Sequence, residues 1–135
     1  MKTDCVRMEN VRVKLGFNGK SVIDTIDKGG GMCLLWSNDV DVSLLSYSQF
    51  HIDVYMVSHR GISWRLTDFY SHPQTAQRHH GWTLYRRLNG LSSLPWVCAG
   101  DFNEMLDDSE KLGCLRRSHY QIENFRVVLD DCRFT

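Results

Sequence analysis

Proline is scarce, with two in 135 residues, and there is no low-complexity tract, which excludes long disordered segments. Net charge is absent as well: sixteen basic residues balance sixteen acidic ones. A neutral chain carries no electrostatic footprint for nonspecific nucleic-acid binding, so any such role has to rest on a defined site. The five cysteines, Cys5, Cys33, Cys98, Cys114 and Cys132, are scattered, odd in number and never spaced as CxxC. That pattern predicts neither a zinc site nor a disulfide framework, and reduced thiols in an intracellular protein are the expectation. No apolar run is long enough to span a bilayer. The N-terminal stretch MKTDCVRMENVRVKLGF is charged throughout and lacks the apolar core of a signal peptide. The expectation is a soluble nuclear or cytoplasmic protein with no membrane partner.

What is present reads as one domain over residues 1–135, long enough for one hydrophobic core and too short for two. Met8, Val11 and Leu15 recur at helical spacing ahead of Gly16, predicting a short amphipathic helix with a glycine stop. Five β-rich runs follow, SVIDTID, GMCLLWS, DVSLLSYS, HIDVYMVS and WRLTDFYS, separated by turn signals too close for parallel crossovers. In the fourth run Ile52, Val54 and Met56 alternate with Asp53, Tyr55 and Val57, so one of the two faces is expected to be wetter. Beyond Pro73, Trp82, Tyr85 and Leu88 mark a helix, with Arg78, Arg86 and Arg87 falling elsewhere on it. A strand in PWVCAGDFN and a last helix complete the chain; Ser118 and Gln121 form an S-x-x-Q capping signal ahead of Ile122, Phe125, Leu129 and Cys132. The class is α/β with a largely antiparallel sheet.

The stretch LPWVCAGDFNEML, residues 94–106, carries the chemistry. If the strand continues through it, Asp101 and Asn103 share one side and Phe102 turns into the core. Gly100 removes a side chain where a backbone or a phosphate has to come close. A carboxylate can take a proton from water or hold a metal, and an amide can orient it or donate to a phosphoryl oxygen. That division of labour suits phosphoester hydrolysis, whereas the same four letters, GDFN, also compose an ordinary turn.

The segments KGGGMCLLW, SYSQFHIDV, WRLTDFYSHP, RHHGWTLYRRL and SLPWVCAGDFNEML, in that order, resemble the endonuclease/exonuclease/phosphatase superfamily, most nearly the endonuclease domain of plant LINE-type non-LTR retrotransposons. The resemblance runs from about residue 7 to the end. It implies a partial four-layer α/β sandwich of mostly antiparallel strands, and hydrolytic nicking of a DNA phosphodiester with Mg²⁺ or Mn²⁺. It makes Asp101 the general base or water-orienting carboxylate, Asn103 its neighbour positioning the scissile phosphate, and Tyr70 the tyrosine whose hydroxyl lies close to that phosphate. His72, two residues on, ranks below Tyr70 as a substrate-binding residue.

Departures from the pattern matter as much. The family's metal-binding glutamate falls in an N-terminal segment where this chain has Met1-Lys2-Thr3; Lys2 in that place offers no lone pair to a metal. A further aspartate and a terminal Asp-His pair of the family have no counterpart before Thr135. No residue is therefore assigned as a metal ligand, and the expected nuclease activity of this chain alone is negligible. The resemblance also implies a bare sheet edge with exposed apolar surface, open to a protein partner. The rival expectation is a noncatalytic interaction module using that half-sheet.

The remaining polar residues are expected to be structural or solvated. His79, His80 and the three arginines of the second helix read as a solvated face, His51 and His59 as structural, Arg116 and Arg117 as exposed. Asp68 interrupts a strand where related sequences usually have glycine, so its charge requires water or a partner. Cys33 and Cys98 read as small apolar residues, and the four tryptophans as core or core-margin residues.

Overall fold

The computed structural model describes residues 5–23, 31–72, 74–104, 106 and 118–134. Lys2, the turn at 28–30, and the loop with Cys114, Arg116 and Arg117 therefore lie outside the described residues. Helix α1 spans Cys5–Leu15, followed by β1 (Gly19–Ile23), β2 (Met32–Trp36), β3 (Val40–Ser48), β4 (His51–Ser58), β5 (Ser63–Tyr70), α2 (Arg78–Asn89), β6 (Trp96–Asp101) and α3 (His119–Asp131). A single 3₁₀ turn, Thr75–Gln77, leads into α2. Strands β1 and β2 form an antiparallel pair, and the second sheet has the order β3-β4-β5-β6. Among the described strands only β5 and β6 run parallel, so the mixed α/β class with mostly antiparallel strands is as expected. Among the described residues no helix is long and apolar enough to cross a membrane.

The chain divides into two compact units, Met1–Tyr70 with Leu94–Asp101, and Ser71–Ser93 with Phe102–Thr135. In the first, Met32, Ile52, Val54 and Met56 form a buried cluster against which Leu34, Val40, Val42, Trp64, Leu66 and Tyr70 pack. The period of two places Ile52, Val54 and Met56 on one face, as expected. The other face is the wetter one at Tyr55 and Val57, which are half-buried, but Asp53 on it is sealed. Asp53 and Arg65 are each 1% exposed, and the Asp53 carboxylate accepts from Arg65 Nε (2.8 Å), Arg65 Nη2 (2.7 Å) and Thr67 Oγ1 (2.8 Å). Alternation locates the face of a side chain; whether that face meets solvent depends on what packs there.

Helix α1 also departs from its amphipathic reading, because Leu15 is exposed. Its attachment to β1 is ionic: Glu9 receives Arg12 Nη2 at 2.6 Å and pairs with Lys20. Those two cations, Arg12 first, lower the Glu9 carboxyl from its usual 4.5 to about 2. Gly16 follows at φ +73°, the left-handed stop the sequence predicts.

In the second unit, Trp82, Tyr85 and Leu88 of α2 and Ile122, Phe125 and Val128 of α3 are buried. The Trp82 and Phe125 rings lie 5.2 Å apart, and Phe102 stands 5.9 Å from Tyr85 and 5.7 Å from Phe125. Spacings of this kind are those of favourable offset and tilted aromatic pairs. Phe102 thus enters an aromatic core, as its place in GDFN predicts. Ser118 caps α3 by accepting from the Gln121 amide at 3.4 Å.

Candidate active site

Strands β5 and β6 pair with Tyr70 opposite Asp101, Phe69 opposite Gly100 and Asp68 opposite Ala99. Register partners share a face, so Asp68, Tyr70 and Asp101 project to one side at the C-terminal ends of two parallel strands. The turn before β4 secures that end, since the Phe50 carbonyl accepts from the Tyr70 amide at 2.9 Å. Tyr70 is half-buried against the apolar cluster and Asp101 is exposed. A ring held from below and a carboxylate in water suit substrate positioning and proton removal respectively.

Gly100 explains why the two residues stand side by side. Its φ is +132°, and a Cβ there would lie 1.9 Å from the Phe69 carbonyl oxygen. Of the two close approaches that the missing side chain permits, the structure displays that of a neighbouring backbone.

The strand stops at Asp101, which corrects the expectation that it continues to Asn103. Asn103 adopts φ +50°, a left-handed conformation that asparagine tolerates better than most residues. Strand alternation therefore does not govern Asn103. It belongs to the second unit, where its Nδ2 donates to the Ser71 carbonyl at 2.8 Å. His72 lies in the same unit: its Nδ1 accepts from the Gln74 amide at 3.0 Å, and its carbonyl accepts from Arg78 Nε at 3.1 Å. Tyr70 with Asp101, and Asn103 with the 71–72 segment, are thus two separately described pairings.

Two polar side chains are sealed from solvent that the sequence did not mark as buried. Arg78, assigned above to a solvated face, is 4% exposed and reaches Glu104 Oε1 with Nη1 at 2.6 Å. Glu104, absent from the sequence-based candidates, has a side chain only 4% exposed. Its place directly after GDFN was the available signal. By contrast His79 and His80 are exposed as expected, and Arg86 makes an exposed pair with Asp131. His51 is buried, with Ser48 Oγ 2.7 Å from Nδ1 and Ser46 Oγ 3.0 Å from Nε2, a structural setting.

Asp68 sits on the apolar face opposite Ile52, and burial raises its carboxyl above the usual 3.8. Because the folded protein disfavours the charged form, Asp68 lowers stability as pH rises through the carboxylate range. Asp68→Asn is accordingly expected to raise the unfolding free energy at pH 7 by less than about 1 kcal/mol once its exposure is discounted. Urea titrations should show that gain shrinking at pH 3. An equal gain at both pH values would contradict it.

A tyrosine and an aspartate closing two adjacent parallel strands define an α/β chain with polar chemistry at its strand ends, a common location for enzyme sites. The chain belongs to the Endonuclease/Exonuclease/phosphatase family, whose model matches residues 6–130. A search of curated proteins finds no match. The family supports hydrolase activity of the nuclease or phosphatase type and generally works with divalent metals. Among the described residues no group of three His, Cys, Asp or Glu side chains is placed to hold a metal ion. The described donors thus do not fit a complete metal centre, and the chemistry legible here is that of the tyrosine, the aspartate and the amide.

Proposed function

We propose that residues 1–135 form one endonuclease-like domain of retroelement type, directed at DNA phosphodiesters, and that this chain alone turns over negligibly. The observation that carries the reading is the Tyr70–Asp101 register pair at the ends of β5 and β6, in a chain matched to the family over residues 6–130. In this reading Asp101 takes a proton from the attacking water, the Tyr70 hydroxyl donates to a phosphoryl oxygen, and Asn103 positions the phosphate, with His72 a lesser contact. Mg²⁺ or Mn²⁺ would supply charge stabilisation. The low activity rests on Lys2, which the resemblance puts in the place of the metal-binding glutamate.

Plasmid nicking tests this. Supercoiled DNA incubated with purified chain and Mg²⁺ or Mn²⁺ is expected to stay intact. Nicking abolished by EDTA and reduced roughly 10²-fold or more in Asp101→Ala would establish a working site and refute the inactivity. Nicking indifferent to Asp101→Ala would remove the residue assignment itself.

A second reading, a noncatalytic interaction module, draws on one observation. Strand β6 ends the strand order, and Val97 on it is 50% exposed. Such an edge is a template for strand addition. A folded, monodisperse, inactive sample whose β6 amides remain fast-exchanging would favour it.

A further inference from the structure

Two separate ties in the second unit join the same two stretches of chain. Asn103 Nδ2 donates to the Ser71 carbonyl (2.8 Å), and Arg78 bridges the His72 carbonyl (3.1 Å) and Glu104 Oε1 (2.6 Å). One stretch, 71–72, follows Tyr70; the other, 103–104, follows Asp101. Arg78 and the Glu104 side chain are both nearly sealed from solvent, at 4% exposure each. The second oxygen of Glu104 is buried with no hydrogen-bond partner among the described residues, and so is the Ser71 hydroxyl.

A buried ion pair seldom adds net stability over an apolar pair of the same shape, so its use is more often to specify geometry. Here the geometry in need of specification is that of Asn103. Its φ of +50° is sparsely populated, and the side-chain bond to the Ser71 carbonyl helps to hold it there. Arginine suits the brace because its planar fork presents separate donors to a carbonyl and a carboxylate at once; a lysine ammonium is a point charge on a flexible stem. We infer that Arg78 and Glu104 are positioning residues: their buried pair clamps segment 103–104 to segment 71–72 and thereby sets the orientation of the Asn103 amide. The functional meaning of that orientation rests on the proposed role of Asn103 at the phosphate, whereas the brace itself is independent of whether the chain cuts DNA.

The side-chain amide of Asn103 reports on the brace without any turnover. In the full-length ¹⁵N-labelled chain its pair of proton signals, assigned by their loss in Asn103→Asp, is expected to be well separated and to exchange with water about tenfold more slowly than those of exposed Asn38. In Arg78→Lys, and more mildly in Glu104→Gln, the Asn103 signals should move toward the Asn38 position and exchange should accelerate about tenfold. The ring-shifted signals of Trp82 and Phe125 should stay in place and show the unit still packed.

Overturning results are equally definite. Wild-type Asn103 signals that already behave like those of Asn38 would refute the clamp without reference to any variant. So would Asn103 signals unchanged in a folded Arg78→Lys or Glu104→Gln protein. Because the readout is not activity, its failure is distinct from a failure of the nuclease reading, which the plasmid assay alone decides.

Discussion

Arg65→Ala is expected to lower the unfolding free energy by roughly 3–5 kcal/mol, a large part of the roughly 5–15 kcal/mol available to a domain of ordinary stability. The reason is the carboxylate left behind. Asp53 is 1% exposed and accepts three of its four hydrogen bonds from Arg65, leaving only Thr67 Oγ1 once the guanidinium is gone. The same side chain lies over the Trp96 ring at 5.1 Å, while Trp96 Nε1 donates to Thr67 Oγ1 at 2.8 Å. One network therefore spans β4, β5 and β6, and its loss should loosen the strands that carry Tyr70 and Asp101. Urea denaturation followed by tryptophan fluorescence would measure the cost. The double replacement Asp53→Leu with Arg65→Met, which removes both charges, should recover most of it. A loss below about 1 kcal/mol for Arg65→Ala, or a double variant no better than the single one, would show that the buried Asp53 carboxylate does not depend on Arg65.

Gly100→Ala is expected to be the most damaging single change at the candidate site. A methyl group 1.9 Å from the Phe69 carbonyl oxygen cannot be accommodated by rotating a side chain, because the obstacle is backbone. The φ of +132° adds a conformation that alanine adopts only under strain. The combined cost should be roughly 3 kcal/mol or more, relieved by separating β5 and β6 near Phe69 and Gly100. Hydrogen exchange should show protection lost first at the amides of that pairing, while the antiparallel β3–β4 ladder remains protected. A variant with wild-type stability and unchanged exchange there would contradict the steric account. Since Asp101 is the next residue, any activity of the chain should fall along with the pairing.

Much of the frame was legible in the chain. The turn signals between SVIDTID and WRLTDFYS separate five observed strands, and the spacing of Trp82, Tyr85 and Leu88 marks the buried side of α2. Both depend on interactions between near neighbours in sequence, which periodicity records directly. Gly100 was legible as a close approach for the same reason. The misreadings share a different cause. Asp53 was assigned no partner, Arg78 was expected on a solvated face, and Asn103 on a continuing strand. Each depends on a partner 12, 26 or 32 positions away: Arg65 for Asp53, Glu104 for Arg78 and Ser71 for Asn103.

The sequence by itself determined the types and order of the elements, the glycine that lets β5 and β6 close together, and the succession of segments that places the chain in its family. Only the tertiary structure decided which polar residues would be buried, with whom, and where the strand carrying Asp101 would end. Apolar patterning has a local period, because a helix or strand must present one side to a core. A buried charge has no period: it is tolerated wherever the fold brings a matching group within hydrogen-bond reach, and that distance exists only after the chain has folded.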